Sequence, residues 1–208
     1  MYDAYLYKGG EMRSKTGLSL VLFAIMIMSG AVFAQNSDKY SGTVLSYGER
    51  FNTRTRSDRF DLIINGVTPK GDIPALLKKL DEDGQDAFLS DIEDRDLGKF
   101  SIGSRVGPTV NFVMMDEVDG KTRIIAVFQR WVRFYEFRSA SRSLDYPFGA
   151  VEMYIDPKTG KGEGTFIGAA KLNWEKNKKT GEYELEITGF ATFPSKLMGV
   201  KQTAKRLP

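Results

Sequence analysis

The sequence predicts a mainly β fold: an antiparallel β-barrel or sandwich of about seven or eight strands, with a short helical hairpin and a preceding signal peptide. Three observations predict it. From Lys99 onward, apolar and polar residues alternate with period two in one run after another. Turn sequences such as Asp119-Gly120 separate those runs. Near the N-terminus an apolar run, Leu18–Met28, follows the basic pair Arg13 and Lys15.

That N-terminal run has the parts of an export signal. Arg13 and Lys15 supply a positive start, LSLVLFAIMIM an apolar centre, and Ser29-Gly30 a break. Ala31-Val32-Phe33-Ala34 then puts alanines at −3 and −1 of a cut between Ala34 and Gln35. An uncleaved anchor is the alternative, since Gly17–Ala34 is nearly long enough to span a bilayer. The break and the cleavage pattern favour the signal peptide. Residues 1–11 are acidic and tyrosine-rich, and Lys8-Gly9-Gly10-Glu11 reads like a purine-rich ribosome-binding sequence translated in frame. Met12 is therefore the expected initiator. The expected location is periplasmic or secreted, with no membrane span after cleavage.

Removing residues 1–34 takes away three basic and two acidic residues. The expected mature chain has 174 residues, 27 of them basic and 25 acidic, a net +2. So balanced a charge argues against a nucleic-acid partner. A chain of this length buries enough surface for one domain. The sequence has no histidine and no cysteine. That excludes Ser-His-Asp and Cys-His nucleophiles, imidazole and thiolate metal ligands, disulfides and lipid attachment at an N-terminal cysteine.

In chain order, residues 35–40 read as a polar linker, followed by strands at Ser41–Tyr47 and Arg59–Val67 with a basic loop, Arg50–Asp58, between them. Asp72 and Pro74 suit a helix start. Ile73, Leu76, Leu77 and Leu80 fall at i, i+3, i+4 and i+7, and Gly84 ends the helix. A second helix is expected over Gln85–Arg95 with Phe88, Leu89 and Ile92 inward, so the hairpin has one apolar face to cover an end or edge of the β core. Strands are expected at Val110–Val118, Lys121–Arg130, Trp131–Arg138, Ala150–Ile155, Gly164–Trp174 and Glu182–Phe193. Alternation puts Phe166, Gly168, Ala170, Leu172 and Trp174 on one face. In the last strand Leu185, Ile187, Gly189 and Ala191 share a face. The single domain is expected to span residues 41–200, with 201–208 a frayed basic tail.

No catalytic residue, metal site or cofactor is expected. Asp81–Asp96 holds eight carboxylates but lacks the calcium-loop spacing, and reads as the wet face of the hairpin. Gly160–Thr165 lacks phosphate-loop spacing and precedes a strand, so it reads as a hairpin turn. Glu136, Asp145 and Glu152 could form a carboxylate pair only if the fold set two of them at the right separation.

The most unusual stretch, QRWVRFYEFRSASR, interleaves aromatic and arginine residues. Arg130, Trp131, Arg133, Tyr135, Phe137 and Arg138, with Trp174, are the candidate ligand-binding residues, able to hold a small amphipathic or anionic ligand. The expected function is that of an exported non-enzymatic binding protein. The alternative is a structural or protein-interaction module of the cell envelope with no ligand cavity, and inward Gly168, Ala170, Gly189 and Ala191 are the residues that would either leave a cavity or let another element approach. Intact mass of exported material tests the leader reading: the expected chain begins at Gln35, and a mass retaining Met12–Ala34 would make the segment an anchor.

Overall fold

Every residue from Ile124 to Phe128 is buried, so the strand that carries them has protein on both faces. Ile124, Ala126 and Phe128 join one apolar cluster, while Ile125 and Val127 join another. This is the two-sided version of strand alternation. The first cluster fills the inside of a curled sheet. The second lies between that sheet and two helices.

The computed structural model describes residues 37–47, 55–130, 138, 142–176, 183–190 and 194–206, and the elements counted are those among them. They are β1 (Asp38–Ser46), β2 (Arg56–Ile64), α1 (Ile73–Asp83), α2 (Gln85–Ile92), β3 (Gly98–Ile102), β4 (Thr109–Val110), β5 (Phe112–Val118), β6 (Lys121–Gln129), a 3-10 turn (Arg142–Asp145), β7 (Phe148–Ile155), β8 (Lys161–Lys176), β9 (Tyr183–Gly189) and β10 (Ser195–Ala204). The sheet runs β4-β3-β2-β1-β10-β8-β7-β6-β5, with β9 beside the far half of β8, and every pairing is antiparallel. It is nearly closed and barrel-like.

Closure falls on one stretch of chain. Residues 109–110 pair with β3 at one margin, and residues 112–118 pair with β6 at the other. Between them Asn111 is 5% exposed. Its backbone N–H donates to the Val127 carbonyl at 2.9 Å. Its side-chain nitrogen donates to the carbonyls of Glu93 (3.0 Å) and Arg95 (2.9 Å), just past α2. Its side-chain oxygen accepts from the Gln129 N–H at 3.2 Å. Thr68 closes the next position: its N–H donates to the Val113 carbonyl (2.9 Å), and its Oγ1 accepts from the Val113 N–H (3.1 Å). Buried backbone groups at the seam thus have partners, as they must in a dry interior.

The helices cover a face of the sheet rather than its end or edge. Leu76, Leu77, Leu80, Phe88 and Ile92 pack onto Phe112, Ile125, Val127, Phe148, Ala150 and Leu172. Phe88 meets Phe112 and Phe148 edge-on, at 5.6 and 5.7 Å between centroids, the arrangement ring quadrupoles favour. Asp72 holds the N-cap position but makes no side-chain cap; Pro74 stands in the first turn as expected. β7 begins opposite Ala170, and beyond that point the Gln85 side chain takes the place of a strand along β8. It donates to the Leu172 carbonyl (2.7 Å) and accepts from the Leu172 N–H (2.9 Å).

Several sequence expectations change. There are ten strands, not seven or eight. β10 escapes period-two reading because it bulges between Leu197 and Val200, which puts two exposed residues between two buried ones. The expected linker and tail pair with one another, Lys39 opposite Ala204. Buried Asp38 secures them, accepting from Gln202 Nε2 (3.2 Å) and the Arg206 N–H (3.0 Å). Burial and the nearby Asp38 charge push the Tyr40 phenol above its ordinary pKa. The second helix stops at Ile92, and Arg56–Asp58 are strand rather than loop. The leader with Ala34 and Gln35 lies outside the described residues, as do residues 131–137.

Asp119-Gly120 forms the hairpin turn expected of it, with both residues at positive φ, 51° and 73°. Gly160 likewise closes the β7–β8 turn at φ 65°, its N–H donating to the Asp156 carbonyl.

Asn111→Ala should cost about 2–4 kcal/mol, since it strands two carbonyls and one N–H in a buried seam. Urea unfolding of the two proteins measures it, and a loss under about 0.5 kcal/mol would show that water replaces the amide there.

Candidate functional site

The antiparallel registers bring the end of β1, both ends of the β3–β4 loop, the start of β2, the end of β6 and the start of β7 to one end of the barrel. A cavity of about 530 Å³ opens there. Its floor is Phe100, Phe128 and Phe166, and Ile102 with the loop Gly103–Pro108 forms a wall. Arg56, Asp58 and Arg105 stand around it.

Each part has a local cause. Phe100 and Phe128 are inward positions of β3 and β6, buried in the barrel cluster, with Phe166 packed against them. Ring centroids are 5.7 Å apart for Phe100–Phe128, 5.0 Å for Phe100–Phe166 and 6.3 Å for Phe128–Phe166. The Phe128 ring lies flat on Gly149, where a β-carbon would overlap it. The β3–β4 loop is pinned at both ends: the Gly103 N–H donates to the Arg59 carbonyl (2.7 Å), and the Phe100 N–H donates to the Pro108 carbonyl (3.2 Å). Gly107 passes so close to β3 that a β-carbon there would fall on the Phe100 carbonyl oxygen. Val106, at the tip, is 89% exposed.

The candidate binding residues from the sequence fare differently. Trp131, Arg133, Tyr135 and Phe137 lie outside the described residues. Arg138 is exposed. Arg130 is half-buried and holds the chain that returns to β7: its Nε donates to the Tyr146 carbonyl (2.6 Å) and its Nη2 to the Ser143 carbonyl (2.7 Å). Trp174 belongs to the helix-covered layer, stacked on Tyr183 at 5.8 Å, beside a groove formed with Gln85 and Asp81. Arg130 and Trp174 are therefore not part of the mouth.

The expected cavity wall also dissolves. A bulge where Phe148 and Ala150 pair with Ala170 and Ile167 inserts one residue into β8. Phe166 consequently faces the barrel interior, whereas Ile167, Ala170 and Leu172 face the helices. Gly168 is exposed, Gly189 is half-buried and Ala191 lies outside the described residues. In β9 the alternation is as expected, with Leu185 buried and Glu184, Glu186 and Thr188 exposed.

Of the carboxylates considered for a pair, Glu152 is engaged elsewhere. It accepts from Arg123 Nε (2.8 Å) and from the Tyr154 hydroxyl (3.0 Å). Burial opposes the Arg123 charge, but the Glu152 carboxylate outweighs it and raises that pKa. Asp145 is exposed in the 3-10 turn, and Glu136 lies outside the described residues. On the hairpin, Lys79 bridges to Asp91 (2.7 Å) and Arg95 to Asp72 (3.8 Å). Among the described residues no helix is long and apolar enough to cross a membrane, and no three acidic side chains gather as a metal site would require.

No protein-family model, curated protein or solved structure matches the chain.

Two glycine substitutions separate exposed backbone from packed backbone. Gly168→Leu should change stability by less than about 0.5 kcal/mol, while Gly107→Ala should cost about 1–3 kcal/mol by forcing the loop off β3. Thermal melts read both, and equal effects would refute the placement of the β3–β4 loop.

Proposed function

We propose that this is an exported, non-enzymatic, barrel-like protein, periplasmic or secreted, that holds a small amphipathic or anionic ligand at the barrel mouth. The observation that carries this reading is the pairing of an apolar floor with cations. Half-buried Phe166 offers ring surface, backed by buried Phe100 and Phe128, and Arg56 and Arg105 line the same cavity with Asp58. Guanidinium groups beside an apolar base suit a ligand with one charged end. Export rests on the segment Met12–Ala34, and the non-enzymatic reading on the absence of histidine and cysteine from the sequence.

One observation favours the second reading, a structural or protein-interaction module. The barrel interior is filled by its own side chains, so it offers no deep lumen. Titration with 1-anilinonaphthalene-8-sulfonate distinguishes the two. A ligand-binding mouth gives a saturable rise in emission with one site per chain. The Arg56→Ser/Arg105→Ser variant, folded by circular dichroism, should bind about tenfold more weakly, the worth of about 1.4 kcal/mol of lost charge-assisted bonding. A linear rise, or equal binding by the variant, would favour the structural module.

A further inference from the structure

We infer that the mouth takes a compact aromatic monoanion, a flat ring system bearing one carboxylate or sulfonate, rather than a long-chain amphiphile. This rests on the binding reading above and narrows it by depth, shape and charge.

Depth comes first. Below the mouth, Phe60, Leu62, Ile64, Val113, Ile124 and Met153 are each 0% exposed. Interiors filled in this way have organic-crystal density and leave no channel for an alkyl tail. A ligand is confined to the cavity of about 530 Å³ at the end of the barrel.

Shape comes second. Phe128 lies within 23° of parallel to both Phe100 and Phe166. Phe100 and Phe128 are buried, so a ligand ring meets the half-buried Phe166, where it extends an offset stack, and that aromatic pair adds to the area it buries. An alkyl chain gains only the area.

Charge comes third. Among the described residues, the side chains of Arg56, Arg105 and Asp58, all lining the cavity, have no ion-pair or hydrogen-bond partner. The three sum to one positive charge. A single carboxylate can accept from either guanidinium fork. A second negative charge would meet Asp58 and be repelled.

Displacement of bound 1-anilinonaphthalene-8-sulfonate from the exported protein tests this, with 2-naphthoate, 2-naphthyl phosphate, 2-naphthalenemethanol and dodecanoate as competitors. 2-Naphthoate should displace the dye at a concentration at least about tenfold below any of the others. Dodecanoate competing as well as 2-naphthoate would overturn the inference and leave the binding reading standing. Equal competition by the phosphate would overturn the single-charge requirement, and so the inference. Phe166→Leu keeps apolar bulk without the ring; it should weaken 2-naphthoate and leave dodecanoate unchanged, and an equal effect on both would overturn the stacking. If the dye does not bind, the mouth reading falls, and failure of 2-naphthoate to give heat in direct calorimetry overturns the inference with it.

Discussion

Residues 109–118 belong to both margins of the sheet, and the buried side chain of Asn111 is what lets the chain change partners without stranding a polar group. A strand that leaves β3 for β6 must break its ladder for one residue. In a dry interior that break costs as much as any other unmet hydrogen bond. The Asn111 amide spends its donors on the carbonyls that follow α2 and its oxygen on the end of β6. One residue therefore ties the seam of the barrel to the helical layer. Because the seam fixes where β4 begins, it also fixes where the β3–β4 loop stands over the mouth.

The two apolar layers share one wall. β6 and β7 contribute alternate residues to the barrel interior and to the helix layer. Those strands thus bury apolar side chains on both faces, which helps offset the absence of disulfides. The arrangement also sets what is left for a ligand. With the interior occupied by Phe60, Ile124 and Met153, the space left within the barrel, among the described residues, is the cavity at its mouth. Aromatic rings that terminate the interior are the surface such space presents.

The fold class was legible because period-two alternation and the Asp119-Gly120 turn are local properties. The helical hairpin was legible for the same reason, in the spacing of Leu76, Leu77 and Leu80. What escaped depends on pairing. The β8 bulge leaves Phe166 and Gly168 on one face and turns Ala170 and Leu172 to the other, and no property of that stretch alone announces an inserted residue. β10 went unread because its buried residues, Leu197 and Val200, are three apart, and its last four residues, 201–204, fell in the expected tail. The mouth could not be assembled from sequence at all: Arg56, Phe100, Arg105, Phe128 and Phe166 sit on different strands and one loop, and only the register joins them. The glycines at 103 and 107 and Pro108 were its one local trace, marking a loop of unusual constraint.

The Gln85 side chain carries a consequence for how the molecule comes apart. A primary amide has the same donor and acceptor as a peptide unit, and here it fills a rung that β7 is too short to reach. Helix and sheet are consequently not separable modules. Any motion that lifts α2 from its bed uncovers Phe112 and Phe148 and, at the same moment, bares the backbone of β8 at Leu172. A bared strand margin beside exposed apolar rings is a template for pairing with another chain. The helical hairpin thus guards the protein against self-association, and partial unfolding that begins there leads toward aggregation.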